Sequence, residues 1–589
     1  MKIKPTHNRY RDNCREENMK NKLTSSIVSV IAAFAVTAYT SSAAAGYTAK
    51  DLNGLSDFLL GNTVGMSEDV NGDGVCDAFD LVYLRMAMQS TGEFTEQSVA
   101  ASEENVKYTG RVLYTNDAAW LIHSGCAAEF KVTGKSASVT IKGDGSESNS
   151  EKNRPRYAVI VDGEIILDEL LSVKEKSVEL FSGDTNRTAT VKVIHLSEAN
   201  NGSVGVGAIN VVSDSSAPVV PAQKKNISVE FIGDSITCAY GVEGKDQYEN
   251  FSTSTENFMK SYAYLAAELL DADYSAVCFS GYGTTSGYTS DGKKNAASLV
   301  PDMYDSYGSN VPFLKQAWDH QEHPVDAVFI NLGTNDSGYV SKDPDTRSEE
   351  YIDEYEEFLG DVYNSNPDAV IVCTVGIMGC EEMYPYIQEA VRRFTVKYHY
   401  DNIHTYLSPT HNYQEDGIGS DWHPSEVTQQ KNAYLAAYHI SKALGIEPDE
   451  IGINSASEGT FATSVDSSAN MSEYLNDWDK SYHVTTVSGG TSKDSIITTL
   501  SPVRLKKDAT YRIKFSASAD SGAEIPLSLT DSDGKVVFSD TFTGSGDKTP
   551  YSAEFTTDAA DPEAVLSFKL GGIDSLRFSV YNMEITRIK

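Results

Sequence analysis

Between residues 105 and 215, apolar and polar positions alternate in short runs such as Ala137 to Lys142, Tyr157 to Val161 and Ala189 to Leu196, bounded by Gly, Asp or Asn. Period-two alternation marks half-buried strands, and a series of them predicts a β-sandwich of jelly-roll type. Val161-Asp162-Gly163-Glu164 adds the Asp-Gly pair of a tight hairpin. From Asn226 onward the pattern changes. Apolar runs (Ile227 to Ile232, Ala276 to Phe279, Ala327 to Leu332, Ala369 to Val375, Ile403 to Leu407) alternate with stretches whose apolar residues return every three or four positions (Asn257 to Leu270, Glu349 to Tyr363, Met383 to Tyr398, Ser425 to Leu444). That alternation predicts an α/β domain with a parallel sheet over 224–448. Beyond Glu458, Thr510 to Ala517, Ile525 to Thr530, Ala564 to Lys569 and Arg577 to Ile585 return to period two, so a second β-sandwich is expected over 458–589. Two charged or Ser- and Pro-containing stretches without periodicity, Ser90 to Asn105 and Ser213 to Lys225, read as linkers.

The N-terminal end has a different character. Lys20 and Lys22 precede an apolar stretch from Ile27 to Ala38 and the small residues Ala43-Ala44-Ala45. This is the layout of a secretory signal peptide over 19–45, with Met19 as its start. No later run is long and apolar enough to span a bilayer as a helix. The 589 residues carry a formal net charge of -36, which repels nucleic-acid phosphates and anionic lipid headgroups and suits a neutral polymer partner. The seven cysteines are scattered and outline no disulfide framework. Cys373 and Cys380 are left either as a pair or as free thiols.

Candidate chemistry begins at Asp69. Asp69, Asn71, Asp73, Val75, Asp77 and Asp80 stand at positions 1, 3, 5, 7, 9 and 12 of a loop with Gly74 at position 6. Alternating oxygen ligands converge on a hard cation only where the chain turns sharply, so this spacing predicts a calcium site. The segment resembles a dockerin, the module that plugs cellulosomal enzymes into cohesin domains. Ala49-Lys50-Asp51-Leu52, with Leu55 and Leu59, echoes Ala78-Phe79-Asp80-Leu81, with Leu84 and Met88, but without a first calcium loop. One structural calcium is therefore expected over 46–92, instead of the two usual for the family. The resemblance implies a cohesin partner, met by Ala78, Phe79, Arg85 and Met86.

Four blocks in the α/β region carry a second chemistry. Gly233-Asp234-Ser235 follows the first predicted strand, Gly281-Tyr282-Gly283 the second and Gly333-Thr334-Asn335-Asp336 the third, and Asp421-Trp422-His423-Pro424 precedes the last helix. All lie at the carboxyl ends of strands or beside them, where open α/β sheets bind ligands. The order resembles the SGNH, or GDSL-like, hydrolases, a flavodoxin-like three-layer fold. That resemblance implies Ser235 as nucleophile and His423 as general base, with the Ser235 N–H, Gly281 and Asn335 as oxyanion donors. No cofactor is implied for catalysis. The family usually has Asp three residues before the histidine, but position 420 is Ser. The group that fixes the His423 tautomer is then either a backbone carbonyl such as that of Trp422 or the Asp421 carboxylate.

A β-sandwich directly before such a domain resembles carbohydrate esterase family 2, which implies a secreted, cellulosome-borne serine esterase that deacetylates plant cell-wall xylan and glucomannan. Tyr282 and Trp422 are candidate sugar-stacking residues there, and Trp478, Tyr482 and Tyr581 in the last domain, which resembles carbohydrate-binding modules. A GDSL-type lipase or thioesterase would use the same blocks. A carbohydrate-binding cellulosome component with little activity is the alternative of another class. His320, His323, His411 and His439 match no metal-ligand spacing.

Overall fold

The computed structural model describes residues 94–446, 459–476 and 481–587. The signal peptide, the calcium module with Asp69, Asn71, Asp73, Val75, Asp77 and Asp80, and Trp478 lie outside the described residues.

The first β-domain joins ten antiparallel strands into one hydrogen-bonded network around a single Val-, Ile- and Phe-rich core. Two long strands, Ala127–Gly143 and Glu175–His195, run side by side through it, with register shifts after Gly134 and Ala137. Asp162 and Gly163, with φ of 51° and 86°, make the expected hairpin turn between Arg156–Val161 and Glu164–Leu170. Both segments expected as linkers contribute strands. Thr95–Val99 pairs with Val204–Ser213, and Val219–Pro221 pairs with residues 130–132. Thr95–Val99 is mostly polar, as an edge strand half in solvent can be, and Val219–Pro221 is too short for a period to show, so the β-domain reaches past 105–215 on both sides.

The α/β domain is built on a parallel five-stranded sheet. Its strands are β1 (Ile227–Gly233), β2 (Ala272–Cys278), β3 (Ala327–Asn331), β4 (Val370–Val375) and β5 (Ile403–Leu407), in spatial order 2-1-3-4-5. The strands are apolar on both faces because helices cover both sides. These are α1 (Ser235–Cys238), α2 (Tyr262–Leu269), α3 (Thr334–Val340), α4 (Pro344–Ser365), α5 (Tyr384–Tyr398) and α6 (Glu426–Leu444). The helix expected from Asn257 to Leu270 is interrupted at Ser261, whose hydroxyl caps α2 by accepting the Ala263 N–H at 3.1 Å. β2 begins four residues before the expected Ala276.

The two domains are locked together through buried polar contacts. Arg111 of the β-domain is fully buried and bonds Glu230 of β1 at 3.0 Å; the second Glu230 oxygen accepts the Tyr304 hydroxyl at 3.0 Å. Lys107 meets Asp273 at 2.6 Å, and Arg156 meets Glu243 at 2.6 Å. The C-terminal region forms two five-stranded antiparallel sheets around their own core. Tyr482 is buried there against Phe461, which removes it from the candidate sugar-stacking set, whereas Tyr581 stays partly exposed. Cys373 and Cys380 are unpaired, and Cys380 Sγ lies 3.1 Å from Ser337 Oγ. Among the described residues no helix is long and apolar enough to cross a membrane.

Candidate active site

Ser235 stands at the first position of α1, where β1 ends. A Cβ on Gly233 would lie 2.1 Å from Thr237 Oγ1, so only glycine permits so tight an exit from the strand. Asp234 caps α1, its Oδ1 accepting the Ile236 N–H at 3.0 Å. The N–H of Ser235, in the first turn, has no acceptor within its helix.

His423 comes from the turn before α6, and its Nε2 lies 2.9 Å from Ser235 Oγ. Its Nδ1 lies 3.1 Å from the carbonyl oxygen of Asp421. A carbonyl can only accept, so Nδ1 carries the proton and Nε2 is left as the acceptor for the serine hydroxyl. The orienting carbonyl therefore belongs to Asp421, one residue before the expected Trp422. Asp421 and Trp422 both adopt left-handed backbone (φ 50° and 66°), which turns the Asp421 carbonyl back toward the ring. The Asp421 carboxylate points elsewhere, accepting the Tyr240 hydroxyl at 2.9 Å and the Phe251 N–H at 3.1 Å. Burial lowers the His423 pKa to about 4, against opposing pulls from the backbone carbonyls of Asp421 and Ser420 and the Asp421 charge.

Ser420, at the usual aspartate position, is fully buried. The turn at Gly241 and Gly244 closes directly on it: a Cβ on Gly241 would lie 2.6 Å from Ser420 Cβ, and one on Gly244 2.2 Å from Ser420 Oγ.

Asn335 opens α3 after β3. Its Nδ2 donates to the Tyr282 carbonyl at 2.7 Å and lies 3.3 Å from Asp234 Oδ2. Asn335 thus ties the Gly281 loop to the strand end that carries Ser235. The longer Asp234 contact is the one an incoming oxygen can displace. Gly281 has φ 81°, and its N–H has no acceptor among the described residues. The sequence reading missed Asp336, whose buried carboxyl accepts the N–H groups of Thr284 (3.1 Å), Thr285 (2.7 Å) and Ser286 (2.9 Å) and so shapes that loop. Burial raises Asp336 to about 6 and Asp234 to about 7, the latter aided by the nearby Asp336 charge.

The rim is aromatic. Trp422 is half exposed and meets Tyr248 and Tyr413 edge-on at centroid distances of 6.2 and 6.4 Å. No sequence signal marks Tyr248 or Tyr413, because a lone Tyr in a loop or at the start of a one-turn helix (Tyr413–Asp416) carries no periodicity. Tyr282, the other candidate sugar contact, stacks on Phe279 at 5.0 Å and is only partly exposed.

Residues 231–431 match the GDSL-like lipase/acylhydrolase family model, residues 108–221 the carbohydrate esterase 2 N-terminal model, and residues 457–576 a carbohydrate binding domain model. The chain is 30% identical over 366 residues to cellulase/esterase CelE of Acetivibrio thermocellus, covering 59% of this chain and 41% of that protein. It thus spans less than half the length of that relative. It is 28% identical over 347 residues to an acetylxylan esterase / glucomannan deacetylase of Cellvibrio japonicus, covering 58% and 88%. An active-site mutant of a family two carbohydrate esterase from Clostridium thermocellum matches with TM-score 0.50 and 27% identity, over 59% of this chain and 100% of the other. A family two carbohydrate esterase from Cellvibrio japonicus shares the fold with TM-score 0.52 at 22% identity, covering 60% and 99%. Two adjacent stretches thus match, in chain order, the carbohydrate esterase 2 N-terminal model over residues 108–221 and the GDSL-like lipase/acylhydrolase model over residues 231–431.

Proposed function

We propose that this chain is a serine esterase that removes O-acetyl groups from plant cell-wall polysaccharides such as xylan and glucomannan. The observation that carries the reading is the 2.9 Å approach of His423 Nε2 to Ser235 Oγ, with the imidazole tautomer set by the Asp421 carbonyl. Ser235 Oγ attacks the acetyl carbonyl while Nε2 takes its proton. The N–H groups of Ser235 and Gly281 and the Asn335 amide hold the oxyanion. His423 then protonates the departing sugar oxygen, and water repeats the cycle to free acetate. The imidazolium formed in passing is held by the Asp421 carbonyl and by the Tyr240 ring, 4.1 Å away between centroids.

The exposed Trp422, Tyr248 and Tyr413 offer flat faces to a sugar chain, which supports a polysaccharide over a lipid substrate. The relatives named for acetylxylan and glucomannan deacetylation support the same choice. The C-terminal sandwich is assigned to carbohydrate binding on its family match. The signal-peptide layout over 19–45 and the calcium-loop spacing from Asp69 to Asp80 support secretion and cohesin-mediated assembly outside the cell, with one structural calcium. The test is acetate release from acetylated glucomannan and xylan, which should vanish in Ser235→Ala. Faster turnover of octanoyl than acetyl nitrophenyl esters would favour the lipase reading instead.

A further inference from the structure

The Gly281 loop is held from both sides. On its far side Asp336 of the same domain accepts three consecutive N–H groups, from Thr284 to Ser286. On its near side the holding group comes from the other domain: Oε2 of Glu198, in the β-domain, accepts the Ser280 N–H at 2.8 Å. Ser280 immediately precedes Gly281. Glu198 is only 3% exposed, and its neighbourhood is pinned against the hydrolase domain. The Phe258 N–H donates to the Leu196 carbonyl at 3.0 Å, and Ala199 packs in one apolar cluster with Val277 and Phe279 of the β2 end. A buried acceptor on a main-chain N–H at this place restrains the peptide that leads into Gly281.

We infer that Glu198 is a positioning residue for the oxyanion donor of Gly281, so that the β-domain completes the active site from outside the hydrolase fold. The reason is geometric. The Gly281 N–H makes no bond of its own among the described residues, and Gly281 is in left-handed conformation (φ 81°). Its direction is set by the peptides on either side, held through the Ser280 N–H by Glu198, through the Gly281 carbonyl by the Tyr288 N–H at 2.7 Å and through the Tyr282 carbonyl by Asn335, and of these holds only the first comes from the β-domain. Releasing one of them lets the donor drift, and about 1 Å of drift can cost on the order of a hundredfold in rate.

The inference rests on the esterase reading, and one set of measurements separates the two. Glu198→Met keeps the length of the side chain and removes the acceptor, whereas Glu198→Gln keeps an oxygen that can accept the Ser280 N–H. On an acetyl nitrophenyl ester, Glu198→Met should lose about 10- to 100-fold in kcat with KM within about twofold of wild type. Affinity for an alkylboronic acid, which forms a tetrahedral adduct on Ser235, should fall by the same factor. Glu198→Gln should recover most of both. A wild-type enzyme without esterase activity would end the reading and the inference together. An active wild type matched by Glu198→Met in kcat and boronate affinity would end the inference alone, as would a loss that Glu198→Gln fails to restore. Should Glu198→Met not fold, Glu198→Asp, which withdraws the acceptor by one methylene, must show the same fall in kcat at constant KM.

Discussion

The carboxylate of Asp421 is turned away from the histidine two residues later and is held by Tyr240, whose hydroxyl donates to Oδ2 at 2.9 Å. The main chain of Asp421 serves His423, and its side chain serves the aromatic ring that lies over the imidazole. Asp421→Asn should therefore cost less than about tenfold in kcat, since the amide oxygen can still accept from Tyr240. A loss near ten-thousandfold, as when a triad carboxylate is removed, would place the carboxylate on His423 after all. Steady-state kinetics on an acetyl ester decide it.

Burial without a paired carboxylate lowers His423 to about 4 from an ordinary 6.5. The base works only when neutral, so activity is lost as pH falls through that pKa. The acid limb of kcat/KM should lie nearer about 4 than 6.5. A profile already half-lost at pH 6.5 would mean that an ionised partner faces the ring.

Asn335→Ala removes both the link to the Tyr282 carbonyl and a proposed oxyanion donor. It should lower kcat by about 10² to 10³, which is roughly 3 to 4 kcal/mol, with little change in KM. An unchanged kcat would show that the amide stays bound to Tyr282 and Asp234 throughout turnover.

Arg111 and Glu230 are both buried at the joint between the β-domain and the sheet. Arg111→Met strands the Glu230 charge and should destabilise the joint by about 3 to 5 kcal/mol, whereas Arg111→Met with Glu230→Met should recover much of that loss. Unfolding midpoints of the two variants measure this. Equal losses would show that packing of the Arg111 side chain matters more than its charge.

The full chain should bind one calcium, and Asp69→Ala with Asp73→Ala should abolish it. Calorimetric titration of the chelator-stripped protein gives the stoichiometry. Two equivalents, or one that survives the double substitution, would overturn the single-loop assignment.

What the sequence determined by itself was everything that local pattern carries. The five runs of the parallel sheet and the four longest helices follow from apolar periodicity, whereas the short helices Ser235–Cys238 and Thr334–Val340 do not, and Ile403–Leu407 matches the expected run residue for residue. The four blocks stand at strand ends and a helix start because glycines and caps act within a few residues of their own position. Only the tertiary structure decided which groups meet across long separations. Asp421's carbonyl reaches His423 through two left-handed residues, a conformation that no periodicity announces. Ser420 is enclosed by a turn about 180 positions earlier, and Tyr240, Glu198 and Asp336 act on partners 50 to 181 residues away. Thr95–Val99 looks like a linker until its partner strand, more than a hundred residues on, supplies the other half of its hydrogen bonds. Backbone pairing and buried acceptors depend on what the folded chain brings alongside, and a one-dimensional pattern records only what each segment presents to its own neighbours.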